Sequence, residues 1–87
     1  MRINIRDAIC FDAPVIAALI QELAESMGEP SPITPAYELS YLGFPGCNIL
    51  LAEQRGQVAG LLSYSVRPNP YHNGDTALIE ELVVRDT

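Results

Sequence analysis

The 87-residue chain has little of what marks the commoner binding classes. Its cysteines are Cys10 and Cys47, its one histidine is His72, and five basic residues stand against eleven acidic ones. Two distant cysteines make neither a disulfide scaffold nor the paired spacing of a structural zinc site, and they read as reduced, small apolar side chains. A formal net charge of −6 argues against binding the phosphate backbone of a nucleic acid. No apolar run approaches the ~20 residues of a membrane-spanning helix. Asn4, Arg6 and Asp7 interrupt Ile3 and Ile5, so the opening residues do not form the apolar stretch of a signal peptide. The expectation is a soluble, cytoplasmic protein with no metal, membrane or nucleic-acid partner.

What is present is apolar and patterned. Hydrophobic residues make up 48% and charged residues 18%, the balance of a folded chain rather than a disordered one. A chain of this length supports one domain and buries roughly 60–65% of the surface its unfolded form exposes. Ile3 and Ile5 alternate with Arg2, Asn4 and Arg6, which predicts a short strand with one buried face. Asp12 is placed to cap a helix, and Pro14 fits its first turn, where the missing N–H costs nothing. Ile16, Leu19, Ile20, Leu23 and Met27 recur at helical spacing and form one apolar stripe, with Gly28 as the natural stop. Residues 28–35 carry three prolines and read as a loop. Thr34 and Pro35 open a second, shorter helix with Tyr37, Tyr41 and Leu42 on one face, ended by residues 43–46.

Residues 48–54 hold Ile49, Leu50, Leu51 and Ala52 in a continuous apolar run, which reads as a strand covered on both faces. Arg55-Gly56 supplies a tight turn, and residues 57–67 return as the partner strand. On that partner Val58, Gly60, Leu62, Tyr64 and Val66 share one face, while Ala59, Leu61, Ser63 and Ser65 share the other. Residues 68–75 are rich in Pro, Asn and Gly and form a loop, and residues 76–85 form the last strand. The order is β-α-α-β-β-β, an α+β arrangement of two helices on a mostly antiparallel sheet.

Four runs stand in a telling order: the Ile-Asn-Ile-Arg opening, the first helix, the Ala52-Glu53…Gly56…Gly60 hairpin, and Ile79-Glu80-Glu81-Leu82-Val83-Val84. Together they resemble the GNAT family of N-acetyltransferases, over the whole chain. The resemblance implies the N-terminal part of an acyl-CoA N-acyltransferase fold, with residues 1–87 as a single partial domain. It implies acetyl-CoA as cofactor, a small-molecule or peptide amine as acceptor, and pairing of the backbone of Leu82, Val83 and Val84 with the pantetheine arm. In that family the last strand leads into an Arg/Gln-x-x-Gly-x-Gly/Ala turn that holds the pyrophosphate. Here Arg85, Asp86 and Thr87 follow Val84, and no Gly-x-Gly segment precedes a helix. Residues 43–46 lead into a strand and include Pro45, which has no N–H to offer an anion. The expectation is therefore a chain that is inactive in isolation.

Amine acetylation needs a neutral amine, so a group that removes a proton is useful. Glu80 and Glu81 are the candidates. In a regular strand they point to opposite faces, and one cleft receives both only where a bulge intervenes. On regular alternation Glu80 shares its face with Leu78 and Leu82, an apolar setting that raises a carboxylate's pKa, and this favours Glu80 over Glu81. The plainer reading of both is a solvated or ion-paired strand carboxylate. Tyr37 and Tyr41 fall where relatives shape the acceptor site, and equally form the apolar face of a short helix. Tyr64 and Tyr71 are further substrate-border candidates, with a sheet tyrosine and a loop anchor as the ordinary alternatives. His72 reads as an exposed loop residue.

Two other functions fit the same residues. A last strand left at a sheet edge is ready for β-addition, which would make the chain an interaction module, a homo-oligomer or a strand-paired dimer. A small α+β ligand-binding domain of another kind is the third reading.

Overall fold

A computed structural model describes residues 2–85. The chain runs β1 (Ile3–Asp7), a single 3-10 turn (Cys10–Asp12), α1 (Ala13–Ser26), α2 (Pro35–Leu42), β2 (Cys47–Gln54), β3 (Gln57–Asn69) and β4 (Gly74–Val84). The four strands form one antiparallel sheet in the order β1-β2-β3-β4, so β1 and β4 are its edges among the described residues. The predicted α+β order is the observed one.

Local chemistry explains most element ends. Pro14 stands in the first turn of α1. The helix stops at Gly28, whose φ of +76° is open to glycine at little cost. Thr34 caps α2, its hydroxyl accepting the Tyr37 N–H at 3.2 Å. Arg55 and Gly56 both have positive φ, 54° and 75°, the twist that suits a two-residue hairpin between β2 and β3. Gly46, at φ +79°, lets the chain enter β2 tight against β3: a Cβ there would meet the Val66 carbonyl oxygen at 2.5 Å.

Both helices lie on one face of the sheet. Opposite residues of an antiparallel pair project to the same side. Leu51 faces Leu61 across β2–β3, and Leu61 faces Val83 across β3–β4. Those three, with Ile49, pack against Ile16 and Leu19 of α1 to form the core. Burying side chains of this size stabilises the fold by about 1.5–3 kcal/mol each.

The structure revises five local expectations. Ile3 and Ile5 are 57% and 59% exposed, because Arg6, opposite Leu51, takes the inner face instead. Arg6 is tolerated there through a bidentate pair with the Asp12 carboxylate, both contacts at 2.8 Å, and a 2.7 Å contact to Glu53. Asp12 precedes α1 as expected, but its side chain does not cap that helix; it accepts the Ile9 N–H at 2.7 Å and holds Arg6. The α1 stripe ends before Met27, which is exposed. The β2 run is covered on one face: Ile49 and Leu51 are buried, while Leu50 and Ala52 are half-buried on the side without helices. The last hairpin is longer than predicted. Pro68 pairs with Asp75 and Asn69 with Gly74, leaving a tip of four residues where a loop of eight was expected.

No helix of the described residues is long and apolar enough to cross a membrane.

Candidate functional site

A register shift in the last hairpin builds the site. Ser63 stands opposite Glu81, but its neighbour Tyr64 stands opposite Ile79, so Glu80 is an extra residue without a partner on β3. This is a β-bulge, which interrupts the alternation of side chains. Glu80 and Glu81 consequently line the same cleft. Glu80 does not share a face with Leu82, whose side of the sheet carries Leu62 opposite it. The apolar setting expected for Glu80 is absent, since Glu80 is exposed at the bulge.

Ser63 stabilises the irregularity. Its hydroxyl accepts the Glu81 N–H at 3.1 Å and donates to the Glu81 carboxylate. Ser63 is buried, so a side chain here supplies the acceptor that a regular ladder would draw from the backbone. Glu81 is thereby fixed in direction, whereas Glu80 has no hydrogen-bond partner among the described residues.

The cleft lies between this part of the sheet, the 28–34 loop and α2, with a volume of about 280 Å³. Helix α2 contributes three side chains. Tyr37 stands at the mouth, 53% exposed. Tyr41 reaches further in, its hydroxyl buried and without a hydrogen bond among the described residues. Burial, with the nearby Cys47 thiol and then Glu80 and Glu81, pushes that phenol up to about 12. Glu38 is the third. It is 5% exposed, and no hydrogen bond or ion pair satisfies its carboxylate among the described residues. Burial raises its pKa above the ordinary carboxylate value, and the charge of Glu81 adds to the rise. Ile20, Ile33 and Ile49 supply apolar wall.

Of the sequence candidates, the structure brings Tyr37, Tyr41, Glu80 and Glu81 together. Tyr64 lies outside the cleft, opposite Ile79. Tyr71 and His72 sit at the hairpin tip, edge to face with ring centroids 5.0 Å apart, and Tyr71 is 90% exposed. Glu38 is the residue that sequence reasoning passed over. Its signal was present: with Tyr41 and Leu42 it forms an i, i+3, i+4 set, which puts a carboxylate on the face predicted to be apolar.

Leu82, Val83 and Val84 border a second depression at the free edge of β4. Glu22, Leu23 and Ser26 of α1 line it, together with Arg85. Arg85 crosses from the end of β4 to α1, its Nε donating to Glu22 at 3.0 Å, and the pairing lowers the Glu22 pKa. Among the described residues no group of His, Cys, Asp or Glu is gathered closely enough to hold a metal ion.

No protein-family profile and no curated protein matches the chain. Solved structures do match, acetyltransferases among them. A ribosomal-protein-alanine N-acetyltransferase from Brucella melitensis biovar Abortus 2308 superposes with a TM-score of 0.81 at 18% identity, over 97% of this chain and 57% of that one. An aminoglycoside acetyltransferase from an uncultured soil metagenomic sample, in complex with sisomicin, gives 0.77 at 21% identity, over 95% and 56%. A predicted acetyltransferase from Clostridium acetobutylicum, solved with acetyl-CoA, gives 0.74 at 17% identity, over 97% and 60%. The fold is that of the GNAT-type acetyltransferases. The chain spans between 56% and 60% of the length of these three structures.

Proposed function

We propose that this chain is the amine-binding part of an N-acetyltransferase domain that moves acetyl from acetyl-CoA to a primary amine. The observation that carries the reading is the bulge at Glu80. It turns two carboxylates into one cleft beneath α2, beside a strand edge whose backbone groups are open to a pantetheine arm. Leu82, Val83 and Val84 and the depression beside them fit that arm, and Leu23 gives it an apolar neighbour. The residues present do not fit the pyrophosphate, because no glycine-rich turn leads into a helix. Acetyl-CoA supplies an acetyl thioester, an acyl carbon with a thiolate leaving group. The chain's own part is to bind the acceptor as an ammonium, orient it and remove its proton. Glu81, aligned by Ser63, is the proposed base, and Glu80 holds the cation at the cleft's outer side. A carboxylate that takes one proton leaves the amine lone pair free to attack.

This reading predicts weak cofactor binding, with Kd on the order of 1 mM or about −4 kcal/mol. In an amide NMR titration, millimolar acetyl-CoA should shift Leu82–Val84 and the last turn of α1. Silence at those residues would remove the reading, and micromolar affinity would overturn the argument from the missing cradle.

A second reading is favoured by a separate observation. Among the described residues all eleven of β4 lie at a sheet edge, and Ile79, Leu82 and Val84 are exposed along it. A second copy of the chain would pair there by antiparallel β-addition, extending the sheet and making the protein an interaction module. Light scattering after size exclusion tests it. A clean monomer at high concentration would remove it.

A further inference from the structure

The outer face of the sheet, the one without helices, is built like an interior. A sheet with one face in water alternates apolar and polar residues. Here the outward positions carry two apolar rows that run across the strands. Leu50, Leu62 and Leu82 stand opposite one another on β2, β3 and β4, and Asp7 of β1 ends that row. Ile5, Ala52, Gly60 and Val84 form the second row, one step along the strands. Among the described residues of the two rows, Asp7 alone is charged. Leu82 is 62% exposed and Val84 75%. The continuous apolar run of β2 is the sequence of a strand covered on both faces, and α1 covers only one of them.

Area and shape say what covers the other. The chain exposes 6211 Å², whereas a globular monomer of 9.5 kDa exposes about 5,000 Å². Burying that excess of roughly 1,200 Å² from each of two copies would remove about 2,400 Å², within the roughly 2,000–5,000 Å² of permanent homodimers. At the centre of the second row Ala52 and Gly60 present almost no side chain. The sheet is hollowed there by about 180 Å³, with Ile5 and Val84 at the sides and the leucine row alongside. A dry cavity of about 150 Å³ admits a benzene ring, so this hollow has room for one leucine side chain. A two-fold interface needs a patch that is its own complement. A leucine ridge beside a hollow on one uncharged face meets that need.

We infer that the outer face binds a second copy of this chain, sheet on sheet, with Leu62 and Leu82 of each copy seated over Ala52 and Gly60 of the other. The two sheets stack about 10 Å apart, and the helices of both copies lie outermost in a four-layer α-β-β-α sandwich. Neither acetyl transfer nor β-addition at the edge is needed for it, and the ladder groups of the β4 edge take no part. Apolar burial holds the pair against the repulsion of two chains of net charge −6.

Sedimentation equilibrium of the 87-residue chain should give a monomer–dimer equilibrium that tightens as sodium chloride is raised, since salt screens the repulsion. Ile5→Lys and Ala52→Leu alter outward positions and should keep the amide NMR spectrum of a folded chain. Ile5→Lys puts a charge into the face, and Ala52→Leu fills the hollow without reducing the apolar area. Each should weaken association at least tenfold. In a mixture of isotope-labelled and unlabelled copies, intermolecular NOEs should join the Leu62 and Leu82 methyls to that of Ala52. Urea midpoints should rise with concentration above the dissociation constant and read the open monomer below it. A monomer at every concentration would leave the face to a different polypeptide and overturn the inference. So would association unaffected by Ile5→Lys or tightened by Ala52→Leu. New protection of the edge-facing β4 amides from hydrogen exchange would assign the assembly to edge pairing and overturn it as well.

Discussion

Glu38 and Asp12 are both buried acids, and they behave in opposite ways because one has a cation and the other does not. Burial, with the Glu81 charge added, raises the Glu38 pKa, so the folded state holds that proton more tightly than the unfolded chain does. Ionising Glu38 therefore costs stability as pH rises above the ordinary carboxylate range. Glu38→Gln should raise the thermal midpoint at pH 7–8 and leave it nearly unchanged near pH 4. A lower midpoint at pH 8 would mean that Glu38 is satisfied after all. Asp12 is lowered, chiefly by its hydrogen bonds from Arg6 and then by the Ile9 N–H, against the opposing effect of burial. Its contribution is present above the unfolded carboxylate pKa and is lost as pH falls through the folded one. Asp12→Ala should cost about 2–3 kcal/mol in urea denaturation at pH 7, less than the ~3–5 of a fully buried pair because Arg6 keeps part of its guanidinium in water. The deficit should shrink towards pH 3. The Arg85–Glu22 pair is more open, and Glu22→Gln should cost no more than about 1 kcal/mol.

At the scale of elements, the hairpins decide where chemistry can sit. The β3–β4 bulge is held by Ser63, whose hydroxyl serves both the Glu81 N–H and its carboxylate. Ser63→Ala leaves that N–H unanswered in a buried setting, at about 1–3 kcal/mol. It should also broaden the Glu81 amide and weaken amine binding more than that stability loss alone explains. Gly46 fixes the entry to β2, and Gly46→Ala should cost at least about 1–3 kcal/mol from left-handed backbone strain, with the Val66 carbonyl clash added. The helices were legible because their punctuation is local: Pro14, Gly28 and Thr34-Pro35 mark ends irrespective of the rest of the fold. The Arg55-Gly56 turn was legible for the same reason. The bulge was not. Ile79-Glu80-Glu81-Leu82 runs apolar-polar-polar-apolar, which breaks alternation without saying where, and only pairing with β3 makes Glu80 the extra residue.

Over the whole molecule, one sheet face is covered and the other is not. Ile3, Ile5, Leu82 and Val84 are exposed, while Leu51, Leu61 and Val83 beneath α1 are buried. The two faces predict different sensitivities. Leu51→Ala should cost about 2–5 kcal/mol, as for other large-to-small core changes. Ile5→Thr should cost under about 1 kcal/mol as a substitution away from the core. Urea midpoints of the two variants check this, and equal losses would mean that the outer face is covered in solution.

The sequence by itself determined the order of elements, the β2–β3 hairpin and where the helices start and stop. These follow from propensities and periodicities that neighbouring residues set among themselves. Tertiary structure decided the rest. A period of two says that Ile3 and Ile5 share a side, but which side receives α1 depends on whether Arg6 finds Asp12 and Glu53 inside. Likewise, Glu80 and Glu81 are adjacent in the chain and Glu38 is distant from both. The three share a cleft because α2 packs over a bulge that only the β3–β4 register creates.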